Sequence, residues 1–244
     1  MQVSKSFQFV FALVIIANVC VWFYARPLQA TWTNVPPAPS QFAAHATGLG
    51  DYDLSYRMIG FMLQNIGKVD GRTQALRTYD YKELVKWFFA AYALQPESNY
   101  VPMMATYYYG ATPDGEQARE LIKFLKVAGS SPKGERWRWL IHAIFLARHK
   151  VGDMHLALEI AQVLRDMDSP NKPLWTNMMI ALIKNDMNEK SEKEEAYLLM
   201  KSMLESSADK LHPAEVNFII GYICERILTA EEAAKDKICE LNKP

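Results

Sequence analysis

Among the side chains able to do chemistry, the histidines have the most suggestive spacing. His142 and His149 lie seven residues apart, which puts them on one face of a helix, and His155 follows a turn at Gly152-Asp153. A metal held on a helix asks for ligands at i and i+4, completed by a cysteine or carboxylate. No such partner stands near them, so the residues read as a helix face with ordinary polar contacts. A nucleophile needs a base and a group that orients the base. Ser130-Ser131 and Ser206-Ser207 sit in turn-like settings without either. Gly67, Gly71 and Gly115 are isolated turn residues, not a loop that would cradle phosphate, and Glu192, Glu194 and Glu195 alternate with Lys190 and Lys193 as in a solvated loop or helix start. Paired carboxylates would have to converge from distant helices. The expectation is a protein without catalytic residues, metal or cofactor.

The cysteines add little chemistry. Cys20 lies in an apolar run, leaving Cys224 and Cys239. If a helix ending near Leu228 turns back at Thr229, Cys224 faces a residue near Ala234. The remaining offset of about five residues is roughly 7 Å along a helix, beyond the usual reach of a disulfide. Two unpaired buried cysteines are therefore expected.

The apolar run itself decides where such a protein works. Phe7 to Tyr24 carries no charge and is flanked by Lys5 and Arg26. About twenty residues cross a bilayer as a helix. The run's large apolar residues sum to roughly −3 to −6 kcal/mol on an insertion scale, enough to carry Gln8 and Asn18. Trp22 and Tyr24 suit the headgroup region at its far end. The sparse cations favour a cytoplasmic N-terminus, with the bulk of the chain outside; in a bacterial inner membrane that bulk is periplasmic. A cleaved signal peptide, with Leu28-Gln29-Ala30 as cleavage site, is the competing reading. The apolar core is longer than the usual ~7–15 residues of a signal peptide, which favours an uncleaved anchor.

The rest divides into elements that would position a binding surface. Residues 1–5 precede the anchor at 6–25; 26–49 form a spacer with Pro36, Pro37 and Pro39; 50–213 read as helical repeats and 214–244 as capping helices. The 27 basic and 27 acidic side chains balance, which argues against nucleic acid as a partner. Twelve methionines and many aromatics fit helix interfaces or adaptable grooves. From about Asp51 bulky apolar groups recur at three- and four-residue intervals, without a convincing strand. Pro96, Pro132 and Pro170 close successive units at spacings of 36 and 38 residues, and Pro213 follows after the charged Asn188–Glu195 insert. Such a period marks stacked helix-turn-helix units. In the clearest unit, from Trp139 to Pro170, Gly152 makes the turn, and Ala157 and Ala161 allow close helix approach. Thr229 with Glu232 signals a capping box for a last helix through Leu241.

On these residues the sequence resembles the tetratricopeptide-repeat superfamily. It is more closely similar to anchored bacterial repeat proteins that carry an aspartate-tyrosine pair, an Ala-x-x-Leu-x-Pro segment and a tyrosine-rich helix ending in Gly-Ala. Here these are Asp80-Tyr81, Ala91 to Pro96, and Tyr107-Tyr108-Tyr109-Gly110-Ala111; Gln95 departs from the usual negative residue. The resemblance spans about residues 50 to 205. It implies an all-α fold, a transmembrane helix followed by a TPR-like helical-hairpin superhelix, and a scaffold that binds proteins or peptides. In that architecture the first helix of each unit lines a concave groove. Tyr100, Met103, Tyr107, Trp139, His142, His149, Thr176 and Lys184 would line it, with His149 and Lys184 supplying polar contacts. Trp139, Tyr107 and Met103 also suit packing between helices. The functional expectation is a subunit or assembly factor of an envelope complex. Two alternatives remain: an integral subunit in which Asn18, with Ala12 and Ala17, contacts other membrane helices, and an enzyme with a cleft between helices.

Overall fold

A computed structural model describes residues 5–25, 34–69 and 72–240. They divide into two units, Met1–Thr33 and Asn34–Pro244. The first contains helix α1 (Lys5–Ala25). Its Phe7–Ala25 stretch has a mean hydropathy of 2.1 and is long and apolar enough to span a membrane. Its side chains from Phe7 onward are exposed. The second unit is all-helical apart from a two-residue antiparallel ladder, Lys68–Val69 (β1) with Arg72–Thr73 (β2).

The folded unit begins earlier than the expected repeat boundary near residue 50. Residues 26–33 of the expected spacer, with the alternative cleavage site at 28–30, lie outside the described residues. The rest of the spacer docks onto the helices. Val35 is buried and Ala38 packs on the core. The physical reason lies in the prolines, which hold the chain extended and have no N–H to satisfy. Ala38, between Pro37 and Pro39, must place its N–H, and donates it to Glu83 Oε1 at 2.6 Å. The Trp87 indole N–H donates to Pro36 O at 2.8 Å, and Asn34 Nδ2 to Thr78 O at 2.7 Å. The Glu83 carboxyl is held below its usual range by Lys86 and then by this Ala38 N–H.

The helices follow in order: α2 (Gln41–Ala46), α3 (Tyr52–Asn65), α4 (Tyr81–Leu94), α5 (Tyr100–Met103), α6 (Gly115–Gly129), α7 (Trp137–Leu146), α8 (Met154–Asp166), α9 (Met178–Met187), α10 (Lys190–Ser207), α11 (Pro213–Tyr222), α12 (Ala230–Ala233) and α13 (Lys237–Glu240). Side-chain caps set several of the starts. Asp51, Asp80, Asp114 and Asp153 each accept backbone N–H groups in the first turn of α3, α4, α6 and α8, worth about 1 kcal/mol apiece. Gly152, at φ +74°, ends the first helix of its unit, and Asn188, at φ +60°, ends α9. Three of the helices continue into a widened π turn: α5 at Met104–Tyr108, α7 at Ala147–Val151 and α11 at Ile223–Ile227.

Each long helix packs on the next: α3 on α4, α4 on α6, then α7, α8, α9 and α10 in succession. Small residues permit the approach. Ala157 and Ala161 are buried, and a Cβ on Gly129 would lie 2.8 Å from the Leu140 backbone nitrogen. One core runs from Val35 to Ile183, with Phe88, Tyr109 and Phe124 at its centre. A second, around Met178, Ala196, Met200, Ile219 and Ile223, joins α9 to α10 and α11; Trp175 and Leu199 touch both.

The C-terminal part differs from expectation in two ways. The Thr229–Glu232 capping box forms, but its helix stops at Ala233 and α13 starts after a turn. That break, with the π turn ahead of it, removes the regular hairpin geometry that separates the cysteines. Cys224 and Cys239 come within 5.7 Å at Cα and form a disulfide.

Candidate functional site

Helix α5 is short, and its direction is fixed by a buried arginine. Arg136 is 4% exposed, and its guanidinium donates to the carbonyls of Ser98 at 3.0 Å and Pro96 at 2.5 Å. Burial pulls its pKa below the ordinary arginine value, with Tyr92, Tyr56 and Glu97 opposing. Tyr56 donates to Ser98 Oγ at 2.7 Å from the other side. The far end of α5 is held by tyrosines. Tyr81 OH donates to Tyr109 O at 2.9 Å, and Tyr109 OH to Leu63 O at 2.5 Å. Tyr79 OH donates to Ile66 O at 3.1 Å. The hydroxyls of Tyr109 and Tyr79 serve carbonyls at the end of α3 that have no partner within the helix. Burial raises the phenol pKa values of Tyr79, Tyr81 and Tyr109. The aspartate-tyrosine and tyrosine-rich motifs are therefore tied into the frame: Asp80 caps α4, and Tyr81 and Tyr109 clamp it to α3 and α5.

The frame leaves a recess of about 290 Å³ between α3 and α5, lined by Gln64, Tyr100, Met103, Met104, Tyr107 and Tyr108. Its wall is almost wholly apolar. Gly60 makes room for one side of it, because a Cβ there would meet the Tyr100 ring at 3.1 Å. The π turn explains the aim of the tyrosines. An extra residue in the turn shifts the phase of the residues at its end, so Tyr108 joins Tyr107 in facing solvent while Tyr109 is buried.

The surface continues across α7. Tyr107 OH and His142 Nε2 are hydrogen-bonded at 2.9 Å, with the rings edge to face at 5.0 Å. His142 also stacks on Trp139 at 5.9 Å, and burial holds its imidazole below the usual histidine pKa. Phe145 is half-exposed, and its ring lies 4.8 Å from that of His149.

Six of the eight residues expected in a groove belong to this recess or its extension over α7: Tyr100, Met103, Tyr107, Trp139, His142 and His149. Trp139 is buried among them, with its indole N–H donating to Asn99 Oδ1 at 3.2 Å, so it supports the surface from beneath. Two residues do not present themselves. Thr176 is buried, and its hydroxyl donates to Pro173 O at 2.7 Å within its own turn. Lys184 is ion-paired to Glu192 at 2.5 Å and Glu195 at 2.7 Å. Burial lowers its pKa, but those two carboxylates outweigh burial and leave it raised. The charged insert, read as a solvated loop or helix start, supplies them from the start of α10. In the N-terminal unit, Asn18 Nδ2 donates to Val14 O at 3.0 Å, one turn back along α1.

Gln64, Tyr108 and Phe145 join this surface without being among the expected groove residues. Phe145 lies at helical spacing from His142 and His149, a usable signal. Gln64 and Tyr108 depend on tertiary placement and on the π turn, neither of which leaves a sequence mark. Comparison with family models, with curated proteins and with solved structures finds no match.

Proposed function

We propose that this protein is a single-pass, membrane-anchored scaffold of TPR-like architecture that holds a protein partner on the first-helix surface. The observation carrying this reading is the apolar recess of Gln64, Tyr100, Met103 and Tyr107, extended by His142 and Phe145. Aromatic and methionine groups left open on a rigid frame are the kind of anchor that dominates protein–protein binding. A partner helix or extended peptide would fill the recess with apolar side chains. The arrangement suits a subunit or assembly factor of a bacterial envelope complex.

The Cys224–Cys239 disulfide supports the topology in which the folded unit is periplasmic, since disulfides persist in oxidising compartments. The same orientation is favoured by the few cations around α1, with the N-terminus in the cytoplasm and α1 in the inner membrane. Full-length protein extracted in mild detergent and affinity-purified tests the function. A partner recovered in fixed ratio is expected; a lone chain under gentle extraction contradicts the scaffold. Alkylation without reductant tests the topology: only the Cys20 thiol should react, and labelling of Cys224 or Cys239 overturns that support.

A further inference from the structure

The two ends of the helical stack are unlike. A stack of repeats needs a polar outer face on its terminal helices to remain soluble by itself. The C-terminal end has one: Glu231, Glu232, Lys235 and Lys237 are on and around α12 and α13. The N-terminal end does not. At 100° per residue, α3 turns Ile59 and Leu63 to the core and Gly60 to Tyr100 of α5. The same geometry puts Leu54, Met58, Phe61 and Met62 together on the side turned away from both. All four are exposed, Phe61 at 68%. Asp53, Arg57 and Gln64 form a separate polar strip between that face and α5. Leu54, Met58, Phe61 and Asn65 follow spacings of four, three and four residues, the seam of a helix that pairs with another helix. The segment leading into α3 adds Phe42 and Leu49, at 84% and 95% exposure.

We infer that the outer face of α3 is a homodimer interface, covered by α3 of a second copy of this chain. Charge favours this occupant. Asp53 and Arg57 are the only charged residues of α3 and cancel, so two copies of the face meet without net repulsion. Head-to-tail stacking would press the apolar end onto the charged C-terminal end and strip water from its Glu and Lys side chains. Pairing like with like is closed and two-fold, as most homo-oligomers are. The area is modest. Leu54, Met58, Phe61 and Met62 supply about half of the ~800 Å² per partner of a standard interface, with Phe42 and Leu49 available to extend it. Anchoring both copies in one membrane raises their effective concentration and compensates for a small interface. The inference uses the anchor of the proposed function and is independent of its recess.

Met58 stands at the middle of α3, so it meets its own copy whether the paired helices run parallel or antiparallel. Full-length protein with Cys20→Ser and Met58→Cys, oxidised in native membranes, is expected to give a cross-linked dimer of twice 27.9 kDa. Cys20→Ser with Lys123→Cys, on the exposed face of α6, is expected to remain single-chain. Phe61→Lys in the wild-type background should shift the detergent-solubilised protein from dimer to monomer, with its circular dichroism unchanged. A monomeric wild type together with no cross-link at Met58→Cys overturns the inference. So does a different protein cross-linked at position 58, or equal dimer yield from positions 58 and 123. Loss of the partner on recess substitution, with the dimer intact, would bear on the scaffold reading alone.

Discussion

In the two successive pairs α5–α6 and α7–α8, the two helices present different surfaces. The second helices, α6 and α8, carry charges on their outer faces and pair them: Arg119 with Asp153 at 2.9 Å, Lys123 with Glu120 at 2.7 Å, and Lys126 with Glu159. The first helices α5 and α7 present Met103, Tyr107, Tyr108 and Phe145, and α5 contains no acidic or basic residue. Arg136, just ahead of α7, is buried and clamps backbone carbonyls, while the exposed Arg138 of α7 pairs with Glu135. A surface already satisfied by its own ion pairs offers little to a partner. One that leaves aromatics and methionines open, on helices braced by buried hydrogen bonds, has binding energy in reserve.

The comparison can be broken most forcefully from the core beneath the second helices. Phe124 is buried on α6 against Phe88, Phe89 and Tyr92. Phe124→Ala should cost about 3–5 kcal/mol, seen as a large fall in the denaturation midpoint. Arg136→Ala comes next, because it leaves the Pro96 and Ser98 carbonyls without their charged donor. A loss of about 2–3 kcal/mol is expected. Partner binding should weaken too, since α5 loses its orientation; an unchanged denaturation midpoint would remove Arg136 from the frame.

Asp153 sharpens the contrast through pH. Its carboxyl is held below the ordinary value of 3.8 by the Leu156 N–H it accepts, and then by Arg119. A carboxylate whose folded pKa is depressed stabilises above its unfolded pKa and loses that contribution as pH falls through the folded value. Asp153→Ala should therefore cost about 1 kcal/mol at neutral pH. The gap from wild type should close as the solution is acidified below the usual aspartate range, and a gap constant with pH would contradict the assignment. The smallest effect is expected at Lys126→Ala. Its pair with Glu159 is largely solvated, and such pairs contribute roughly 0–1 kcal/mol. High salt should erase even that difference in a denaturant titration.

The helices are legible in the sequence because their apolar periodicity and caps are local. The Gly152 turn and the Thr229–Glu232 box act within a few residues and are read directly from the sequence; the Asp80, Asp114 and Asp153 caps are equally local. Features that depend on distant partners are not. Arg136 has no local sign of its role, which needs the Pro96 and Ser98 carbonyls brought from about forty residues away. Lys172 is similar: its ammonium caps α8 through the carbonyls of Leu164, Arg165 and Met167. An unbroken hairpin would keep the two C-terminal cysteines apart, but the π turn at Ile223–Ile227 and the stop at Ala233 bend the chain and join them. The same limit applies to the binding surface. Regular phase puts Thr176 and Lys184 on it, but one closes its own turn and the other is bound by the insert. Met103 and Tyr107 stand four residues apart and can be read from the sequence; the π turn decides the aim of Tyr108 and Tyr109. The prolines before α2 read as a spacer, though Ala38 uses the one free N–H among them to join the fold.

The most direct measurement compares partner retention by intact protein in mild detergent, with substitutions on the two helix surfaces. Met103→Ala combined with Tyr107→Ala should lower affinity on the order of thirtyfold or more, equivalent to about 2 kcal/mol at a binding hot spot. Lys123→Ala combined with Lys126→Ala should leave affinity within about a factor of two. Equal retention by the two variants, or greater loss from the lysine pair, would contradict a scaffold that binds through its first helices.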